Sequence, residues 1–205
     1  MSSVSSPIDG VGEAVGLLGG SFDPPHAGHL EMAVLVKATL GLNRLILLPS
    51  PVPPHKMALS APFQDRVEMT RLAASGLSGV ETWDVENQLP APHYTVRTLQ
   101  YLSLGPLAGR RMHWIIGSDS LLDLHLWREP ARLFEMAKVV VVSRPGYSME
   151  NPHLDPGLTQ QIIRIESLHS EACSRSLRRR LADGERPSEL CPAVLAHIAL
   201  RRLYR

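Results

Sequence analysis

The chain has 205 residues, of which 44% are hydrophobic and 20% charged, the proportions of a globular protein with one ordinary domain and a full core. Its 21 basic and 20 acidic residues leave a net charge of +1, which excludes capture of a nucleic acid polymer or an anionic membrane by bulk charge. The two cysteines, Cys173 and Cys191, have neither metal-site spacing nor the density of a secreted disulfide framework, so free thiols in a reducing compartment are expected.

Residues 1–12, MSSVSSPIDGVG, are Ser-rich and lack the charged start and apolar middle of a signal peptide, so they read as a frayed tail. No apolar run reaches the length of a bilayer span, and a cytoplasmic protein is expected. From Ala14 onward, short apolar runs alternate with amphipathic stretches. The first strand is predicted at Ala14–Leu18, followed by a helix near Gly28–Leu40 and a strand at Arg44–Leu48. A long loop, Pro49–Ala61, leads to a helix at Pro62–Ser75 and a strand at Val80–Val85. A helix at Tyr94–Ser103 precedes the strand Met112–Ile116, and a short helix is predicted at Ser120–Leu124. A helix at Pro130–Met136, the strand Lys138–Val142, the loop Ser143–Leu158 and the strand Gln161–Ile165 follow. From Cys173 to Arg205 the pattern is two helices split by Gly184–Pro192, a small helical appendage. The runs LILL and VVVV are continuously apolar, as strands covered on both faces are. The whole predicts a doubly wound α/β fold, a Rossmann-like parallel sheet with helices on both faces. Ligands of such sheets lie beyond the carboxyl ends of the strands.

The densest turn chemistry lies at Gly19–His29, GGSFDPPHAGH. Gly19 and Gly20 end the first strand where positive φ or close approach by a ligand is expected, and Pro24 and Pro25 stiffen the entry to the helix. A helix start near Ala27 puts His26 and His29 on one side of the first turn, beside free backbone N–H groups that favour an anion. Two imidazoles at an anion site suit phosphoryl chemistry, which needs positioning and charge stabilisation rather than a covalent nucleophile. A structural capping pair and a metal site are the alternatives, although this HxxH lacks the third ligand and the Glu of zinc enzymes. The run RSLRRR would suit nucleic acid, but it has no interleaved aromatics.

GGSFDPPHAGH resembles the signature of the HxGH nucleotidyltransferase superfamily. With PSPVPPHK, PHYTVRTLQYL, WIIGSDSLLDLHLW, VVVVSRPGY and the terminal RRLYR, in this order from about Gly16 to the end, the chain is similar to bacterial nicotinate-nucleotide adenylyltransferase. The resemblance implies one nucleotidyltransferase domain over residues 13–205 and adenylyl transfer from ATP to nicotinate mononucleotide, with Mg²⁺ on the leaving pyrophosphate. It implies that Gly19, Gly20, Ser21 and Phe22 help bind ATP, the backbone around Gly20, Ser21 and Phe22 cradling the mononucleotide phosphate, while His26 and His29 bind the ATP phosphates. His26 and His29 would stabilise the transition state, joined by Lys56 of PPHK and by Arg178. Gly117 and Asp119 would hold the adenosine and Ser174 the phosphates. Ser50, Lys56, Tyr94, Thr95, Trp127 and Arg144 would meet the mononucleotide, Trp127 by stacking on its ring.

The residues leave other roles open. Asp23 also suits a loop-organising role, Thr95 an N-cap, Asp119 an Asx cap, Trp127 the core and Arg144 the surface. Two departures stand out from the family pattern. Where ISSTxIR is expected the chain reads ACSRSLR, Ala172–Arg178, with Cys173 and Arg175 in place of hydroxyls. Ser50 stands where relatives often carry Asn. Acceptors such as nicotinamide mononucleotide or phosphopantetheine, or a non-catalytic nucleotide sensor, are the rival readings. A homo-oligomer is compatible with all of them.

Overall fold

The computed structural model describes residues 13–51, 59–166 and 172–205. The predicted tail and Lys56 therefore lie outside the described residues. The strands are β1 (Ala14–Gly20), β2 (Arg44–Pro49), β3 (Val80–Thr82), β4 (Arg111–Gly117), β5 (Lys138–Val142) and β6 (Ile163–Ile165). The helices are α1 (Ala27–Thr39), α2 (Phe63–Ala74), α3 (Thr95–Leu104), α4 (Ser118–Leu121), α5 (Pro130–Met136), α6 (Pro156–Thr159), α7 (Ser174–Ala182) and α8 (Pro192–Arg201).

All strand pairs are parallel, and the order β3-β2-β1-β4-β5-β6 is that of a Rossmann-like doubly wound sheet. Connections leave β1 toward β2 on one side, while the chain returns to β4 on the other. The gap between the carboxyl ends of β1 and β4 is therefore the topological switch point. Alternate strand residues feed two cores. Leu17, Ile46, Trp114, Val139 and Val141 pack beneath α3 and α5. Leu18, Leu45, Leu47, Ile115 and Val140 pack beneath Met32, Ala33 and Val36 of α1. This two-sided burial is why the strands read as unbroken apolar runs.

A third cluster joins Ala61 and Met69 to Leu177, Leu190, Val194, Ile198 and Tyr204, and so fastens α7 and α8 onto α2. Across that seam Asp65 of α2 accepts from Arg201 Nε at 2.9 Å and lies 2.9 Å from His197 Nε2. Burial pushes the Asp65 carboxyl up, but hydrogen bonds from Arg201 and His197 outweigh it and hold it below the ordinary carboxylate range.

The main departures from the sequence reading sit at element ends. β1 runs on through Gly19 and Gly20, which align with Leu48 and Pro49 of β2. β3 stops at Thr82, and a 3₁₀ turn at Val85–Gln88 follows, so the predicted strand is cut short. The helix predicted at Ser120–Leu124 starts earlier, at Ser118, and gives way to a 3₁₀ turn at Leu124–Leu126. Among the described residues no helix is long and apolar enough to cross a membrane.

Candidate active site

The β1–α1 turn differs from expectation in where its strain sits. The positive φ falls on Phe22, at 48°, and not on the glycines. A side chain at Gly19 would lie 2.6 Å from the Trp114 ring, and one at Gly20 would meet the Phe22 ring at 3.2 Å. The glycines thus make room for the protein's own aromatic rings. A bulky residue with positive φ is an outlier that persists only where its surroundings hold it. Phe22 is 1% exposed and well held.

His26 is the N-cap of α1, in extended conformation, and His29 is the third helical residue. The His26 backbone N–H donates to His29 Nδ1 at 3.2 Å. An accepting Nδ1 puts the proton of the neutral His29 ring on Nε2, so this ring presents a donor. The two rings stack with centroids 3.8 Å apart, and His29 also leans on Phe22 at 4.8 Å. His26 is 3% exposed, and its Nδ1 has no partner among the described residues. Burial, reinforced by the charge of Arg144, pushes its pKa down to about 4, so the ring is neutral near pH 7.

Behind the turn lies a buried polar hub. Asp23 accepts from Ser60 N–H at 2.8 Å, Ala61 N–H at 3.0 Å and the Tyr204 hydroxyl at 2.8 Å. Arg178 Nη1 donates to the Asp23 carbonyl at 2.6 Å, and the Ser174 hydroxyl donates to the Pro24 carbonyl at 3.1 Å. The fully buried Arg66 of α2 donates to the carbonyls of Ser21, Ser50, Pro51 and Ala61 at 2.6–3.2 Å. Asp23 therefore organises the loop, the role its residue type suits.

At the carboxyl end of β4, Asp119 and Arg144 are joined. Arg144 Nη1 donates to Asp119 Oδ2 at 2.9 Å, Nη2 to the Ala172 carbonyl at 3.1 Å, and its backbone N–H to Ser118 Oγ at 2.9 Å. The space that glycine leaves at position 117 is filled by this pair, with Arg144 Cδ 2.7 Å from a built Cβ. The N-cap of α4 is Gly117 with no side-chain cap bond, so Asp119 is an ion-pair partner here and not an Asx cap. Cys173 occupies the N-cap of α7. Burial pushes its thiol up, but the N–H groups of Ser176 and Arg175 and the charges of Arg144 and Arg175 bring it below the ordinary value. Arg175 itself is exposed.

The wall formed by α3 carries Tyr94 at the N-cap position and Thr95 as the first helical residue, with no side-chain cap bond. Thr95 is thus not the N-cap. Trp127 follows the 3₁₀ turn, half-buried against the core under α3 and α5. Ser50 directly follows β2 and its N–H donates to the Gly20 carbonyl at 2.9 Å. Glu86, in the 3₁₀ turn after β3, is a buried carboxyl that accepts from Thr98 Oγ1 at 3.0 Å and whose Oε2 has no partner among the described residues. Burial pushes its pKa up to about 7 against the pull of the Ser50 and Thr98 hydroxyls.

A cytidylyltransferase-like family model matches residues 17–180. A protein of Roseiflexus sp. (strain RS-1) named "Probable nicotinate-nucleotide adenylyltransferase" is 39% identical over 196 residues, covering 93% of this chain and 98% of its own. A protein of Shewanella sp. (strain ANA-3) with the same name is 36% identical over 210 residues, with the same two shares. This chain belongs to the nicotinate-nucleotide adenylyltransferase family. The fold agrees with that of a Plasmodium falciparum nicotinic acid mononucleotide adenylyltransferase solved with NaAD, at a TM-score of 0.72 and 16% identity, over 94% of this chain and 97% of the other.

For a nicotinate-nucleotide adenylyltransferase, the sequence reading assigned no role to two buried residues beside the site, Arg66 and Glu86. Arg66 had a signal: it lies in phase with Met69 and Thr70 on the buried side of α2, where a charge must have partners. Glu86 had none, since WDVENQLP carries no helical or strand period.

Proposed function

We propose that the chain transfers the adenylyl group of ATP to nicotinate mononucleotide, giving nicotinate adenine dinucleotide and pyrophosphate, a step of NAD biosynthesis. The observation that carries the site assignment is the stacked pair at the start of α1: a buried, neutral His26, its Nδ1 unpartnered among the described residues, resting on His29 at the switch point. In the proposed reaction the mononucleotide phosphate attacks the α-phosphorus of ATP in line, and pyrophosphate leaves. Donors aimed at the phosphorus oxygens favour the transition state because they need no reorganisation as charge moves. His26, His29 and the N–H groups of the Gly19–Phe22 turn are those donors, and Lys56, Ser174 and Arg178 join them as phosphate ligands when ATP binds. Gly117 and Asp119 take the adenosine. Ser50, Tyr94, Thr95, Trp127 and Arg144 border the mononucleotide, the indole offering its face to the ring.

The carboxylates near the turn are already engaged, Asp23 by N–H and O–H donors and Asp119 by Arg144. That donor set fits a Mg²⁺ ion held mainly by ATP phosphate oxygens, as Mg²⁺ commonly is. The ion would supply charge neutralisation on the leaving pyrophosphate. Free thiols at Cys173 and Cys191 suit the reducing cytoplasm.

The test offers purified protein, ATP and Mg²⁺ to nicotinate mononucleotide, nicotinamide mononucleotide and phosphopantetheine in turn, following pyrophosphate release. The nicotinate acceptor is expected to give the highest kcat/KM. Faster turnover with either rival would replace the acceptor, and no release with any of them would sink the reaction.

A further inference from the structure

The terminal RRLYR has no part in the chemistry described so far, yet the fold goes to some length to place it. Arg202 and Tyr204 both adopt positive φ, 55° and 59°, within three residues of each other. Non-glycine residues take this conformation rarely and hold it only when neighbouring contacts fix them. The contacts here bury the Tyr204 ring among Ala61, Met69, Leu177 and Ile198, so that it is only 8% exposed. Its hydroxyl then donates to Asp23 Oδ1 at 2.8 Å, a partner 181 residues away in sequence.

Asp23 sits between two things that matter. It directly follows the strained Phe22, and only Pro24 and Pro25 separate it from His26. Its carboxylate is 2% exposed and takes donors from separate stretches of chain: Ser60, Ala61 and Tyr204, with Arg178 Nη1 at 3.7 Å from Oδ2. The Tyr204 hydroxyl is the only side-chain O–H donor described on Asp23, and it comes from the far end of the chain.

We infer that Tyr204 is a positioning residue for adenylyl transfer, its hydroxyl fixing the Asp23 carboxylate and through it the Phe22–His26 turn. This role rests on the reaction proposed above. Burial and the Asp23 charge both push the phenol pKa up, so the group stays a donor at every working pH. A residue of this kind acts on the placement of His26 and the turn amides, which serve the transition state, more than on the walls that bind the two nucleotides. Its loss therefore lowers kcat rather than raising KM.

The experiment compares wild type, Tyr204→Phe, Asp23→Asn and Ile198→Val, measuring kcat, both KM values and Tm. Tyr204→Phe keeps the ring and removes one hydroxyl. It is expected to lower kcat by about tenfold, with each KM within about twofold of wild type. Asp23→Asn sets an NH₂ against one of the three donors and should show the same kcat-weighted loss. Ile198→Val loosens the same core without touching the hydroxyl, and should lower Tm while leaving kcat alone. Wild-type kcat in Tyr204→Phe or in Asp23→Asn overturns the role. So does a kcat loss in Ile198→Val that scales with its fall in Tm, or a Tyr204→Phe protein whose circular dichroism shows it unfolded. Wild type without turnover overturns the reaction together with this role, whereas active wild type with unchanged Tyr204→Phe overturns the role alone.

Discussion

The two ends of the sheet use charge differently. At the amino end, Arg110 meets Glu13 at 2.7 Å and Arg44 meets Glu81 through two bonds of 2.7 and 2.8 Å. All four side chains are 35–45% exposed, so water can replace either partner. At the carboxyl end, Asp23 and Arg66 are 1% exposed, so their charged groups must find their partners within the protein. Exposed pairs contribute from nothing to about 1 kcal/mol. Buried charges instead demand partners, and removing one partner strands the rest. Similar hydrogen-bond distances therefore conceal opposite consequences, and burial decides which end tolerates change.

The largest expected effect comes from breaking the carboxyl end. Arg66→Met removes the donor to four carbonyls and should destabilise the protein by about 3–5 kcal/mol. Urea unfolding followed by circular dichroism measures it. A cost below about 1 kcal/mol would place Arg66 with the exposed pairs and end the contrast. Next comes His29→Ala, expected to raise the barrier by on the order of 3 kcal/mol, a loss of roughly a hundredfold in kcat. The fold should survive, because the substitution removes one capping bond, from the His26 N–H, and leaves the bonds within Ala27–Thr39 in place. Normal turnover in that variant would make the stacked histidines structural.

A subtler effect concerns two buried groups whose pKa values move in opposite directions. His26 falls from 6.5 to about 4 on folding, so between those values the unfolded chain binds a proton the folded one does not. Its contribution makes stability rise with pH across that window and fall as pH drops. Glu86 rises from 4.5 to about 7, so between those values the folded chain holds the extra proton. Its contribution is full below 4.5 and is lost as pH rises to about 7. Each slope is up to about 1.4 kcal/mol per pH unit, and the two oppose each other where the windows overlap. Glu86→Gln should therefore steepen the rise in stability between pH 5 and 6 relative to wild type, by about 1 kcal/mol per unit. His26→Gln should tilt the same difference curve the other way. Urea midpoints at several pH values read both, and parallel curves for all three proteins would show that the carboxyl end does not enforce these protonation states.

How far the sequence could see follows the same division. The parallel sheet was legible because strands covered on both faces, such as Leu45–Leu48 and Val139–Val142, must be apolar throughout. The start of α1 at HAGH was legible because its signals, Pro24 and Pro25 before Ala27, are local to one turn. The end of β3 was not, because Trp83 and Val85 keep strand-like character after pairing with β2 has stopped at Thr82. Nor was the pairing of Asp119 with Arg144, which lie 25 residues apart. The hub was hidden for the same reason, since Arg66 meets Ser21 across 45 residues and Tyr204 meets Asp23 across 181. Sequence pattern reports periodic burial well, but a buried polar contact between distant segments leaves only a charge or hydroxyl out of place.

The smallest expected effect tests the amino end. Glu13→Gln removes one charge from the pair with Arg110 and leaves an amide that still offers its carbonyl to Asn43, whose Nδ2 donates to Glu13 Oε1 at 3.3 Å. Both members of the pair are about half exposed, so Arg110 is solvated when its partner goes. The expected loss is less than about 0.5 kcal/mol, with kcat unchanged. Raising the salt concentration should shrink even that difference, because a few tenths molar salt screens exposed charges within several ångströms. The measurement is a pair of urea curves for each protein, at low and high salt. A loss above about 2 kcal/mol, or one indifferent to salt, would mean that this pair is shielded like Asp23 and that exposure alone does not separate the two ends.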